Sequence, residues 1–138
     1  MKWLVLLLRY ALGIIILVYA YVKIINFQFT IPDEFKSVPI GEADGVLLTF
    51  SFFGHSSWFS FLLGIAELIP AVFLFFKRTA FLGALLLFPV LSFIFLINIA
   101  YDFVPVMKVW TASLLSLNLI LLFYYKKRLA AIFFAAIA

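Results

Sequence analysis

Two residues in this sequence stand where a charge is expensive. Arg9 lies about six residues inside the first apolar run, and Glu67 lies near the middle of the second. A charge at the centre of a membrane span costs roughly 2.5–3.5 kcal/mol on insertion scales, so such residues face inward and pair. At 100° per residue Arg9, Gly13, Ile16, Ala20, Lys23 and Phe27 share one stripe, with Gly13 and Ala20 small enough for close helix approach. Ser60, Gly64, Glu67 and Ala71 form a comparable face on the second span. Arg9 and Glu67 are therefore expected to make a buried polar pair. It would be either an ion pair clamping two helices or part of a site for a proton, a quinone head group or an anionic ligand.

A second polar cluster is expected at the opposite end of the bundle. Lys23 and Asn26 close the first helix, Asn98 and Asp102 share a face of the third span, and Lys108 begins the fourth. Lys23 is placed to bridge to Asp102 there, with ordinary capping and interfacial anchoring as the competing reading. Thr111 and Asn118 share a face of the fourth span and suit interhelical hydrogen bonds. His55 is the only histidine and cysteine is absent, so the chain alone cannot ligate a haem through two histidines or hold a cysteine-ligated iron–sulfur cluster. His55 is a candidate for proton exchange or a quinone oxygen, or simply a solvated residue. No metal site, phosphate loop, nucleophile elbow or other self-contained catalytic set is visible. Whether the chain is an enzyme stays open; a redox role would need a bound cofactor or a partner's cysteines.

The elements that position these residues follow from composition. The chain is 68% hydrophobic and 12% charged with a mean hydropathy of +1.29, whereas soluble domains carry about 45–50% apolar and roughly 25% charged residues. A soluble fold of this size could not bury so much apolar surface, so the solvent is lipid. The net charge of +4 gathers at the ends of apolar runs without any nucleic-acid-binding module, which excludes that partner class.

The expected fold is an all-α, four-transmembrane-helix bundle, one domain over residues 1–138, with helices at about 3–27, 58–76, 80–100 and 107–125. The first run is read as a retained helix rather than a cleaved signal, because Arg9 interrupts it and no small-residue cleavage site follows. Gly45 to Phe76 as one helix would be about 48 Å long at 1.5 Å per residue, too long for one span; a break is expected at Gly54-His55-Ser56-Ser57. That leaves 45–53 as a surface segment within a partly ordered outer loop, 28–57. Lys2, Lys77, Arg78, Lys126, Lys127 and Arg128 all fall at one end without acidic neighbours, which places both termini in the cytoplasm. Pro70 and Pro89 are expected to kink their helices. The apolar tail 129–138 is too short to span and is free to extend the last helix, lie in the interface or meet a partner.

The residues also resemble a family. LLRYALGIIILVYAYVKIINFQF carries Arg9, Gly13 and Lys23, and FLLGIAELIPAVFLFFKRTAFLGALLL carries a Gly-x-x-Glu segment, Gly64 and Glu67, before a basic pair. This pattern resembles the DoxX-like family of small four-helix bacterial membrane proteins. LLTFSFFGHSSWFSFLLGIAE and LINIAYDFVPVMK are similar to its Bacteroidetes-type members. One departure is Ala20-Tyr21, where the family commonly has a glycine shortly before the lysine. The resemblance implies a redox-associated inner-membrane subunit that binds a quinone or lipid-like molecule, or supports a partner enzyme. A non-catalytic anchor or assembly subunit, with a protein partner or as a homo-oligomer, is the alternative, and a small-solute carrier is a weaker one.

Overall fold

The computed structural model describes residues 2–137. Its elements are α1 (Lys2–Ile24), two short 3-10 turns (Asp33–Phe35 and Ile40–Glu42), α2 (Gly45–Gly54), α3 (Ser57–Phe75), α4 (Ala80–Ala100), α5 (Pro105–Tyr124) and α6 (Lys126–Ile137). α1, α3, α4 and α5 are each long and apolar enough to cross a membrane, as in a multi-pass membrane protein. The four run antiparallel in sequence and close into a ring, α1 against α3, α3 against α4, α4 against α5 and α5 back to α1.

The bundle hides its costly polar groups among an apolar core and turns apolar side chains outward as well. On α1 the buried positions are Val5, Arg9, Leu12, Gly13, Ile16, Ala20 and Lys23, while Leu7, Ile14, Val18 and Tyr21 are exposed. In water that arrangement would forfeit the hydrophobic effect; in a bilayer it leaves the apolar side chains in their preferred solvent and hides the charges.

Local chemistry sets the helix ends. Asp44 caps α2, its Oδ1 accepting from the Leu47 amide at 2.7 Å, and Ser56 caps α3 by accepting from the Phe59 amide at 3.3 Å. Pro105 occupies the first turn of α5, where its missing N–H costs nothing, so that helix starts two residues ahead of the expected Met107. α1 stops short of the expected Phe27. Asn26 takes a left-handed φ of 57°, and the amides of Asn26 and Phe27 donate back to the carbonyls of Lys23 and Val22. This is a Schellman turn. α4 ends the same way, with Asp102 at φ 48° and the amides of Asp102 and Phe103 donating to Ile99 and Asn98.

Segment 45–53 falls within the capped helix α2. α2 packs on α3, with Phe53 stacked on Phe59 and Phe29, so it roofs the bundle at the end that carries the loops. The tail forms α6, separated from α5 by the single residue Tyr125.

Glycine is required at two helix crossings. A Cβ on Gly64 would stand 2.7 Å from Ile24 and 2.9 Å from the Ala20 carbonyl; one on Gly83 would stand 2.7 Å from the Pro70 carbonyl. These contacts fix how closely α3 approaches α1 and α4. Leu12, Ile16, Leu74, Leu87, Leu91 and Leu121 are fully buried between the spans. That packing is continuous in the half nearer the basic residues. The half under α2 is hollow.

Candidate functional site

The hollow is a cavity of about 390 Å³ bounded by α1, α3, α4, α5 and the underside of α2. Its walls are mostly apolar and aromatic, including Ile16, Phe29, Phe50, Phe53, Leu63, Ile94, Phe103 and Trp110. Among the described residues, Lys23 and Glu67 are the only charged ones lining it, joined by Tyr19, Gln28, Thr49, Asn98 and Thr111. A concave, mostly apolar space with a few convergent polar groups is the usual form of a small-molecule site, and its volume falls in the range of about 300–1,000 Å³ such sites occupy.

Close approach at Gly64 brings the loop end of α1 against α3, so that Lys23 and Glu67 meet. The Lys23 Nζ donates to both Glu67 carboxylate oxygens at 2.7 Å, and both side chains are nearly inaccessible. The Ser60 hydroxyl donates to the Lys23 carbonyl at 3.0 Å, tying the same turn of α1 to α3 a second time. The Lys23 ammonium also stands 5.7 Å from the Tyr19 ring, within cation–π range. Burying a lone ammonium or carboxylate costs several kcal/mol, which this pair repays only through its mutual geometry.

The expected Arg9–Glu67 pair does not form. The Arg9 Nε and Nη2 both donate to the Leu74 carbonyl, at 2.9 and 2.8 Å. Leu74 is the penultimate residue of α3, where carbonyls have no amide one turn on to serve them. Arg9 therefore caps the C-terminus of α3, and its charge also suits the negative end of the helix dipole. Arg9 and Glu67 miss each other because Arg9 reaches α3 at Leu74, about two turns beyond Glu67.

The expected outer cluster divides too. Lys23 turns inward to Glu67, so it does not bridge to Asp102. Asp102 instead pairs with Lys108 at the surface, which holds its carboxyl below the ordinary value of 3.8 through that hydrogen bond and charge. Asn26 is the left-handed residue of the α1 turn, with an exposed position. Asn98 belongs to the cavity: its Nδ2 donates to the Thr111 Oγ1 at 2.9 Å. Asn118 is fully buried, and its Nδ2 donates to the Ala84 carbonyl at 3.1 Å, joining α5 to α4 away from the cavity. His55 is exposed at the end of α2, on an open surface groove beside the loop.

Sequence reasoning passed over Gln28, Tyr19, Trp110, Thr49 and the aromatic roof. Tyr19 had a signal, since it lies one turn before Lys23 on the same face. The Trp110 Nε1 donates to the Tyr19 hydroxyl at 2.6 Å, closing the seam between α1 and α5. Gln28, a lone amide between two phenylalanines just past α1, had only its polarity to mark it. Its Oε1 is buried with no hydrogen-bond partner. Among the described residues no cluster of histidine, aspartate or glutamate could hold a metal ion.

No protein-family model matches the chain, and no solved structure matches it. The chain is similar to the uncharacterised protein YwoB of Bacillus subtilis (strain 168), being 31% identical over 116 residues that cover 84% of this chain and 73% of the relative. By that identity and coverage, this four-span protein belongs to the same family as YwoB.

Proposed function

We propose that the protein binds, within the bilayer, an apolar molecule that carries a polar head group. The observation that carries this reading is the roofed cavity of about 390 Å³ whose apolar walls hold one buried ion pair, Lys23–Glu67. Walls of this kind suit an apolar guest, which gains dispersion contacts with each apolar side chain it touches. The resemblance to DoxX-like proteins supports a redox-associated subunit of the bacterial inner membrane, and so a quinone-type or lipid-like guest. The clustering of basic residues at the opposite end supports cytoplasmic termini, with the cavity in the outer half of the bilayer. Recognition of the head group is then the work of Lys23, Glu67, Asn98 and Gln28, while any electron transfer takes place on the guest and a partner enzyme.

The test is to purify the protein in nanodiscs and identify what remains bound by native mass spectrometry. A stoichiometric apolar molecule is expected with the native protein. It should be absent from Ile94→Trp, which fills the cavity without touching the ion pair. A guest retained in Ile94→Trp, or none in the native protein under any lipid composition, sinks the reading.

A second reading, a membrane anchor or assembly subunit, draws on α6. That helix begins Lys126-Lys127-Arg128 and exposes Ile132 and Phe134, a surface suited to a partner. Truncation before Lys126 that releases a co-purifying protein while leaving the cavity guest in place would favour it.

A further inference from the structure

We infer that the cavity selects an uncharged head group that donates a hydrogen bond: a hydroxyl-bearing amphiphile rather than its ether, carboxylate or ammonium counterpart. This rests on the binding function proposed above and goes beyond it by naming the chemistry of the guest.

Net charge is the first part of the argument. The lining holds one cation and one anion, and they neutralise each other at 2.7 Å. A charged guest would therefore enter an apolar space with no unspent countercharge, and an unpaired buried charge is far costlier than a buried dipole. A carboxylate would also have to compete with Glu67 for Lys23, and an ammonium would sit beside Lys23 with one carboxylate between two cations.

Donors and acceptors decide the rest. Lys23 has three N–H groups, and two are spent on Glu67, leaving one. The Tyr19 hydroxyl accepts from Trp110 and keeps its own proton. Beside these donors, and the amide N–H groups that Asn98 and Gln28 still hold, stand acceptors that no protein donor serves. Thr111 has a single hydroxyl proton, which goes to the Met107 carbonyl at 2.9 Å. Its oxygen must therefore accept from Asn98, which fixes the Asn98 amide with its nitrogen toward Thr111 and leaves its carbonyl oxygen without a donor. The Gln28 Oε1 is buried without a partner, and each Glu67 oxygen keeps a lone pair beyond the one Lys23 uses. A guest that only accepts leaves the amide oxygens of Asn98 and Gln28 unpaired. A hydroxyl satisfies one of them and still accepts from Lys23.

For a quinone-type guest the consequence is a preference for the reduced, hydroxyl-bearing ring over the oxidised one. Each tenfold of that preference raises the midpoint potential of the bound two-electron couple by about 30 mV.

The experiment compares 4-octylphenol with 4-octylanisole, 4-octylbenzoate and 4-octylbenzylammonium. These share a ring and tail and differ only at the head. Binding to the full-length protein in nanodiscs is read by native mass spectrometry. The phenol is expected to bind at least about tenfold more tightly than the anisole, the effect of one buried acceptor left unpaired, and more tightly than either ion. Gln28→Leu, at a position outside the helices, and Asn98→Ser should each narrow the phenol–anisole gap without abolishing anisole binding. Equal affinity for phenol and anisole overturns the inference while leaving the cavity a binding site, as does tighter binding of either ion. A gap unmoved in both variants overturns it as well. Binding of none of the four overturns the function it rests on.

Discussion

α1 buries two cations, and it spends them differently. Arg9, in the packed half, gives two N–H groups to one backbone carbonyl at the end of α3. It does what a capping residue does and takes no part in the wall of the cavity under α2. Lys23, in the hollow half, meets a carboxylate in a cavity wall and keeps a donor in reserve. Both lie on the same stripe and both are about 5% exposed, so neither can be left without a partner. Energetic cost therefore marks which residues must be satisfied, but the partner decides what each one is for.

The strongest way to break this comparison is to remove one member of the Lys23–Glu67 pair. Glu67→Leu or Lys23→Met leaves an uncompensated buried charge and should destabilise the bundle by about 3–5 kcal/mol, read by thermal or chemical unfolding in detergent. The double variant Lys23→Met/Glu67→Leu should recover most of that stability, because two apolar side chains replace a neutral pair, yet still lose the guest. If the double variant unfolds as easily as either single one, the pair holds the fold by its geometry rather than by neutralisation.

Next comes the crossing that lets the pair meet. Gly64→Ala places a Cβ 2.7 Å from Ile24 and 2.9 Å from the Ala20 carbonyl, and backbone cannot yield as a side-chain tip can. Overpacking of this kind costs about 1–3 kcal/mol, and here it should also separate Lys23 from Glu67. A loss of guest binding larger than the loss of stability is expected; unchanged binding would show that the pair tolerates a wider α1–α3 spacing.

Arg9→Met should cost a similar or smaller amount, about 1–3 kcal/mol for a carbonyl left unpaired, with guest affinity unaltered. This sharpens the contrast directly, since the same kind of change fourteen residues along the same helix is expected to abolish binding. Reduced affinity in Arg9→Met at preserved stability would make the two cations one system.

The reasons why only part of this was legible in the sequence lie in these same residues. Four spans follow from the length and hydropathy of each run, and the break before α3 follows from Gly54 and the cap at Ser56, since both signals are local. The inward stripe of α1 follows from helical periodicity. The partners of Arg9 and Lys23 do not, because pairing depends on how far α3 slides along α1. That register is set by the contacts of Gly64 with Ala20 and Ile24. The choice of Glu67 as partner for Arg9 assumed that two costly charges must seek each other, and overlooked a helix terminus as an equally good acceptor. The cavity was illegible for a further reason: it is built from apolar side chains that read as lipid-facing, and from Gln28, a loop residue with no periodicity to reveal it.

A second ion pair sharpens the comparison at the smallest scale. Asp102 and Lys108 pair at the loop end, as Lys23 and Glu67 do, but Asp102 is almost fully exposed. The Lys108 hydrogen bond and charge depress its carboxyl below the ordinary value of 3.8. A carboxyl lowered on folding adds stability that is fully present above its unfolded value and is lost as the pH falls through its folded one. The contribution should therefore be present at neutral pH and be lost progressively as the pH falls below 3.8 toward the lowered folded value. Asp102→Asn is the suitable probe, because asparagine also accepts the left-handed conformation this position requires. Native protein and variant, melted in detergent across that range, should differ slightly at neutral pH and converge under acid. High salt should shrink the neutral-pH difference, since exposed charges are screened. A difference that does not shrink as the pH falls below 3.8 would assign the role of Asp102 to its backbone turn rather than to its charge.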